Sequence, residues 1–151
     1  MALPSLLKPE PIKHRPLWFK IAVSSLVAAV VLGVLFWALF RFHSENAKIV
    51  QFMDEVSAGQ FQAAYQLWHK GTGYGYQEFL QDWGTSGYYG PVHSYQIVST
   101  QEPGDASGVV VVVNVSPFRP FPPDSDIAKQ QRTKQVRLWV QFSDQSISYA
   151  P

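Results

Sequence analysis

The 151-residue sequence contains no cysteine. That absence excludes disulfides, thiolate metal sites and cysteine nucleophiles, and it is compatible with an extracytoplasmic location without requiring one. Histidine is scarce, at four residues. His14 and His43 flank the apolar run described below, so only His69 and His93 could share one site, and neither has the HxxxH spacing or adjacent carboxylate of a metal centre. The glycine stretches GTGYG and GTSGYYG do not follow a strand and lead into a helix carrying a Lys, so they are turns rather than phosphate loops. Charge is sparse too, with Asp, Glu, Lys and Arg making up 15% of the chain and a formal net charge of +1. No catalytic constellation stands out, and no metal or cofactor is implied.

What the chain does have is one long apolar run, Ile21 to Phe40, IAVSSLVAAVVLGVLFWALF, without a charged residue. As a helix rising about 1.5 Å per residue it spans the roughly 30 Å hydrocarbon core of a bilayer. A soluble helix rarely stays apolar all round for so long. The expectation is a single transmembrane helix over residues 18–42, with Trp18 and Phe19 at one end and Phe36, Trp37, Phe40 and Phe42 at the other suiting the interfacial aromatic belts. A cleaved signal peptide is the competing reading, disfavoured by the length of the run and by its bulky end, WALFRF, where a small-residue cleavage site belongs. Within the run Ser25, Ala29 and Gly33 recur every four residues, a stripe of small side chains on which a second membrane helix can pack closely.

Orientation follows from charge. Residues 1–41 carry five Lys/Arg and one Glu, whereas residues 42–151 carry seven Lys/Arg and ten Asp/Glu. Basic residues stay on the cytoplasmic side during insertion, so the N-terminus is expected inside and the larger C-terminal part outside the inner, cytoplasmic membrane. Residues 1–17, with four prolines, form an irregular cytoplasmic arm, either topogenic or a docking peptide. The mildly acidic remainder, 43–151, is long enough for one small domain with its own core, and its charge argues against nucleic acid as a partner.

In that domain Ser44 is placed to cap a helix, Glu45 suits its positive end, and Ile49, Val50, Met53 and Val56 give it an apolar stripe ending near Gly59. Phe61, Ala64, Tyr65 and Trp68 repeat the helical spacing, as do Tyr76, Phe79, Leu80 and Trp83. Strand patterns follow at Val92 to Gln101, Val109 to Ser116, Thr133 to Phe142 and Ser146 to Ala150. Three short helices followed by a meander of four antiparallel strands predict an α+β domain with the helices packed on one face of a curved sheet.

The order helix, then Gly-Gln-Phe-x-x-Ala-Tyr at 59–65, short helices and a curved antiparallel sheet resembles the small membrane-anchored bacterial members of the nuclear-transport-factor-two-like superfamily, also called cystatin-like or SnoaL-like. The resemblance covers residues 44–151. It implies a cone with a pocket between helices and sheet, and a role in dimerisation or assembly. The acid and base pair used by the enzymes of that superfamily has no residue-by-residue match here.

Two further features bear on function. Val109, Val111, Val113 and Val115 form one face of a strand while Val110 and Val112 point to the other, joined there by Trp139 of the next strand. A sheet covered on one side alternates more cleanly, so the second face is expected to be covered, by the chain's own loop or by a partner, with Trp139 buried in either case. The connection Pro117 to Arg132 is long for a small domain, and its Phe118, Arg119 and Phe121, set among prolines, are either a docking surface or anchors of the loop onto its own domain. Asp82, beside Trp83, is expected to be a solvated helix residue rather than a buried acid in the pocket, and a pocket enzyme using His93 or Asp82 is the weakest of the three functional readings. The function these features favour is non-catalytic, an accessory or assembly subunit whose partners are the bilayer and other membrane subunits or a second copy. The alternative is an anchored binding protein for a small apolar ligand in a pocket lined by Tyr65, Trp68, Trp83 and Tyr95.

Overall fold

The computed structural model describes residues 16–69, 71, 73–104 and 107–151. Fifteen of the seventeen residues of the expected cytoplasmic arm lie outside that set. The chain divides into two compact units, residues 1–41 and 42–151.

In the first unit, α1 runs over Leu17–Phe40. Its start coincides with Pro16, whose missing N–H is no loss at a helix N-terminus. Every described side chain from Trp18 to Phe40 is exposed, and the best window along the helix has a mean hydropathy of 2.5. By length and composition it is long and apolar enough to cross a membrane.

The second unit has the order α2 (His43–Ser57), α3 (Phe61–Leu67), α4 (Tyr76–Trp83), β1 (Ser94–Gln101), β2 (Gly108–Ser116), α5 (Ile127–Gln130), β3 (Lys134–Gln141) and β4 (Ile147–Tyr149). Ser44 lies inside α2 rather than capping it, because the capping position is two residues earlier, at Phe42. The buried face of α2 is Ile49, Phe52, Met53 and Val56, while Val50 stays exposed. Its end is set by Gly59, whose φ of 76° is the left-handed conformation that glycine adopts without a Cβ clash. At the start of α4, Glu78 reaches back and accepts the backbone N–H of Gly75 at 3.0 Å, satisfying one of the donors that a helix N-terminus leaves open.

The four strands form one antiparallel sheet in the order β1-β2-β3-β4. Val109, Val111, Val113 and Val115 all point into the core, with Val136, Leu138 and Val140 of β3 on the same side. The helices cover that face. α2 runs antiparallel to β1, since Asn46 near its start accepts from Thr100 at 2.7 Å and Asp54 near its end accepts from Tyr95 at 2.7 Å. The β1 register slips between Ile97 and Ser99, a bulge that leaves Val98 exposed on the open edge. The opposite edge is closed, because residue 68 bridges Ile147 in parallel and the His69 N–H donates to the Ile147 carbonyl at 2.6 Å.

The stretch after α4 folds back onto the helix, the N–H groups of Tyr88 and Tyr89 donating to the carbonyls of Gln81 and Asp82. This return needs glycine at position 90, where a Cβ would lie 1.9 Å from the Gly84 carbonyl oxygen. The long connection 117–132 is not wholly irregular. It contains the single turn α5, capped by Asp126, whose side chain accepts the Lys129 N–H.

Candidate functional site

The space between helices and sheet is filled by aromatic rings in mutual contact. Phe52 of α2 lies 5.6 Å from Trp68, 6.1 Å from Phe79 and 5.1 Å from Trp83, centroid to centroid. Tyr65 packs on Phe79 at 5.4 Å, and Tyr89 stacks on Trp83 at 4.8 Å. Edge-to-face and offset pairs of this kind contribute beyond their area burial. Of the four expected pocket residues, Trp68 and Trp83 are therefore core side chains, and Tyr65 is half-buried with its hydroxyl on the Tyr74 carbonyl at 3.2 Å. Tyr95 stands apart, half-buried on β1 with its hydroxyl on Asp54. The four do not converge on one opening, because bulky rings at helical spacing from three elements meet one another first.

The most organised polar group in the unit centres on Asp82, whose two tyrosine partners the sequence does not point to. Asp82 is half-buried, and its Oδ2 accepts two hydrogen bonds at 2.7 Å, from the Tyr74 and Tyr149 hydroxyls. The two hydroxyl oxygens are 3.5 Å apart. Expected to be solvated, Asp82 instead receives donors from the loop before α4 and from β4. Burial pushes both phenols above the ordinary tyrosine range, and the Asp82 charge adds to the rise. A carboxylate oxygen already occupied by two strong donors is an anchor between elements and not a free base.

The histidines are not brought together. His69 is exposed, with Nδ1 at 3.2 Å from the Ser146 hydroxyl, in an open cleft of about 450 Å³ that also includes Lys48, Gln66 and Asp144. Asp144 accepts the Ser146 backbone N–H at 2.9 Å, a bond that holds its pKa below the ordinary aspartate value. His93 sits beside the β1–β2 end of the sheet, where its carbonyl accepts from Arg119 Nε at 3.1 Å. No cluster of three His, Asp or Glu able to hold a metal occurs among the described residues.

Two surfaces remain. On the sheet face away from the helices, Val110 is directly opposite Trp139, and Val112 opposite Arg137. The Trp139 indole lies across Gly108, where a Cβ would come within 2.8 Å of its ring. Val110 is only 6% exposed, while Val112 and Trp139 are half-buried. Part of the cover expected on this face is thus the indole itself, and its outer side stays open.

The second surface is the connection after β2. Phe118 is half-buried and held at both ends of its peptide, its N–H donating to Ser116 Oγ at 3.2 Å and its carbonyl accepting from Ser94 Oγ at 2.6 Å. Arg132 and Lys129 lie over its ring, at 5.2 and 5.7 Å from the centroid. Phe121 is half-buried and Arg119 exposed. Ser25, Ala29 and Gly33 are all exposed on α1, and a Cβ at Gly33 would meet nothing within 4 Å. No protein-family model, curated protein or solved structure matches this chain.

Proposed function

We propose that this chain is a single-pass membrane protein of the inner membrane, N-terminus inside, whose outer α+β domain serves without catalysis as an accessory or assembly subunit of a larger membrane complex. The observation that carries the membrane part is α1, 24 residues long, uncharged from Ile21 to Phe40 and with none of its described side chains buried. A helix apolar all round needs a non-aqueous surrounding. The excess of Lys/Arg in residues 1–41 supports the orientation.

The assembly part draws its support from where the domain's chemistry is used up and where it is not. The interior is filled by its own rings, and the half-buried carboxylate is occupied by two phenols. What stays available is on the outside: Val112 and Trp139, which cover a buried Val110, and on α1 the Ser25, Ala29 and Gly33 stripe. Helices on one face of an antiparallel sheet are also the arrangement of the nuclear-transport-factor-two-like superfamily, and we read the chain as an anchored relative that assembles rather than catalyses.

Native mass spectrometry of the protein extracted in mild detergent from membranes, at its natural level of expression, tests this reading. The expected result is a large assembly of fixed stoichiometry. Recovery as a lone monomer overturns it, and a small additional mass redirects attention to ligand binding.

A further inference from the structure

We infer that the end of the outer unit remote from Phe42 is a docking surface for an acidic peptide segment of a protein partner, centred on Arg132 and Lys134. Of the seven Lys/Arg in residues 42–151, five fall within residues 119–137, against only two of the ten Asp/Glu. A domain acidic overall therefore carries most of its positive charge in one segment of the chain.

The fold gathers that charge at one end of the sheet. Ser94 binds the Phe118 carbonyl, Arg119 binds the His93 carbonyl, and Lys134 opens β3 beside them. α2 runs from Thr100 toward Tyr95, so this end lies about 18 Å along that helix from Phe42, where the chain enters the unit. The cations are held by aromatic faces. Arg132 and Lys129 share Phe118, and Lys134 lies 4.4 Å from the ring centroid of exposed Tyr88 while donating to the Tyr88 carbonyl. Cations seated on rings lose less freedom when a partner arrives.

Of the cations of this segment, Lys129 has an acidic partner among the described residues, Asp126 at 3.0 Å. The Arg132 guanidinium rests on Phe118 with no carboxylate on its fork among the described residues. Between Arg132 and Lys134 a cleft of about 290 Å³ is walled by Tyr89, Gly90, Pro91 and Pro117. Such a cleft takes the apolar stem of a Glu or Asp, with the carboxylate bidentate on Arg132 and the ammonium of Lys134 as a second charge. The cations are spread along a chain segment rather than converging on one point, which favours an extended acidic strand over a single small anion. This surface deepens the assembly reading and rests on it for the existence of a partner.

The test is fluorescence anisotropy on the full chain in detergent, with a fluorescein-labelled Gly-Glu repeat peptide as probe and the Gly-Gln repeat as its neutral control. Binding of the Glu peptide alone is expected, weakened about tenfold by Arg132→Gln with Lys134→Gln and unchanged by Lys48→Gln, with circular dichroism showing each variant folded. Failure of the Glu peptide to bind the parent protein overturns the inference, as does an equal loss in Lys48→Gln. Tighter binding of inorganic polyphosphate than of the peptide also overturns it, by identifying a general polyanion surface. Native mass measurements on the same variants separate the two claims: a protein that is monomeric in membranes yet binds the peptide defeats the assembly reading and leaves the acidic-peptide surface standing.

Discussion

Tyr149 on the last strand donates its hydroxyl to Asp82 on α4 across 67 positions of chain, at 2.7 Å. Through the same oxygen Asp82 also holds Tyr74, so one carboxylate ties the loop before α4, the helix itself and the short edge strand β4. A strand of three residues has few ladder bonds of its own, and this side-chain anchor adds to the three β3 pairings and the His69–Ile147 bond that hold it.

Removing one arm of the anchor should loosen β4. Hydrogen bonds to a charged group contribute about 1.5–3 kcal/mol, and Asp82 is only half-buried, so Tyr149→Phe is expected to cost about 1.5 kcal/mol. Asp82→Ala should cost more, because two hydroxyls lose their acceptor at once. Urea unfolding followed by circular dichroism measures both. Equal stability of Tyr149→Phe and the parent would show that the ring alone positions the strand.

The anchor also predicts an alkaline limit. Tyr74, Tyr95 and Tyr149 have pKa values raised above the ordinary value of 10.0, chiefly by burial, with their carboxylate partners, and for Tyr149 first the Tyr74 hydroxyl, adding to the rise. Above pH 10 the unfolded chain loses phenolic protons that the folded chain keeps, so stability falls as pH rises through that range. The contribution is fully present below pH 10. The slope of unfolding free energy between pH 10 and 11 should be shallower in Tyr74→Phe with Tyr149→Phe, and an unchanged slope would assign the loss to other groups.

Gly90 offers a test of the return loop. A Cβ there would sit 1.9 Å from the Gly84 carbonyl oxygen, whereas at Gly104 it would meet nothing within 4 Å. Backbone has to move to relieve such an overlap, so Gly90→Ala is expected to lose at least about 2–3 kcal/mol, in the range of overpacked sites. Gly104→Ala should stay within about 0.5 kcal/mol of the parent. Thermal melts of the two variants side by side decide it.

Much of the fold was legible because it rests on period. The alternation Val109, Val111, Val113, Val115 is a strand pattern that survives into the core unchanged, and Phe79 with Trp83 mark the inner face of α4 as their spacing requires. The boundaries were less so. Trp68 has helical spacing from Phe61, yet its backbone is extended and joins the sheet edge, because tertiary pairing outweighed local periodicity. The site was least legible. Asp82 is an isolated acid in the sequence, and Tyr74 and Tyr149 reach it from 8 and 67 positions away, a convergence that no spacing rule encodes. The basic segment 119–137 could have been found by counting charge in windows, since averaging over 42–151 hides it behind an acidic total.

On the outer sheet face, stability and assembly should separate. Val112 is half-buried and stands opposite Arg137, so its side chain has room to turn into solvent. Val112→Lys is expected to change stability by no more than about 1 kcal/mol, as surface substitutions do. In the same protein, native mass spectrometry should show the assembly dissociated, because a desolvated cation would face the partner. An intact assembly carrying Val112→Lys would move the contact to another face.

The absence of cysteine makes the membrane arrangement testable without background labelling. Ala2→Cys and Ser143→Cys place single thiols in the N-terminal arm and in the exposed turn before β4. With the N-terminus inside, a membrane-impermeant maleimide added to intact cells or spheroplasts should label Ser143→Cys at once and Ala2→Cys only after lysis. Lys substitutions at both Val27 and Val30 near the middle of α1 add about 2.5–3.5 kcal/mol each to the cost of insertion, so this double variant should become extractable by alkaline carbonate while the parent stays in the pellet. Labelling of Ala2→Cys from outside would reverse the orientation and place the acidic-peptide surface in the cytoplasm. Release of the parent by carbonate would remove α1 as an anchor altogether, leaving an apolar helix that some other protein surface has to cover.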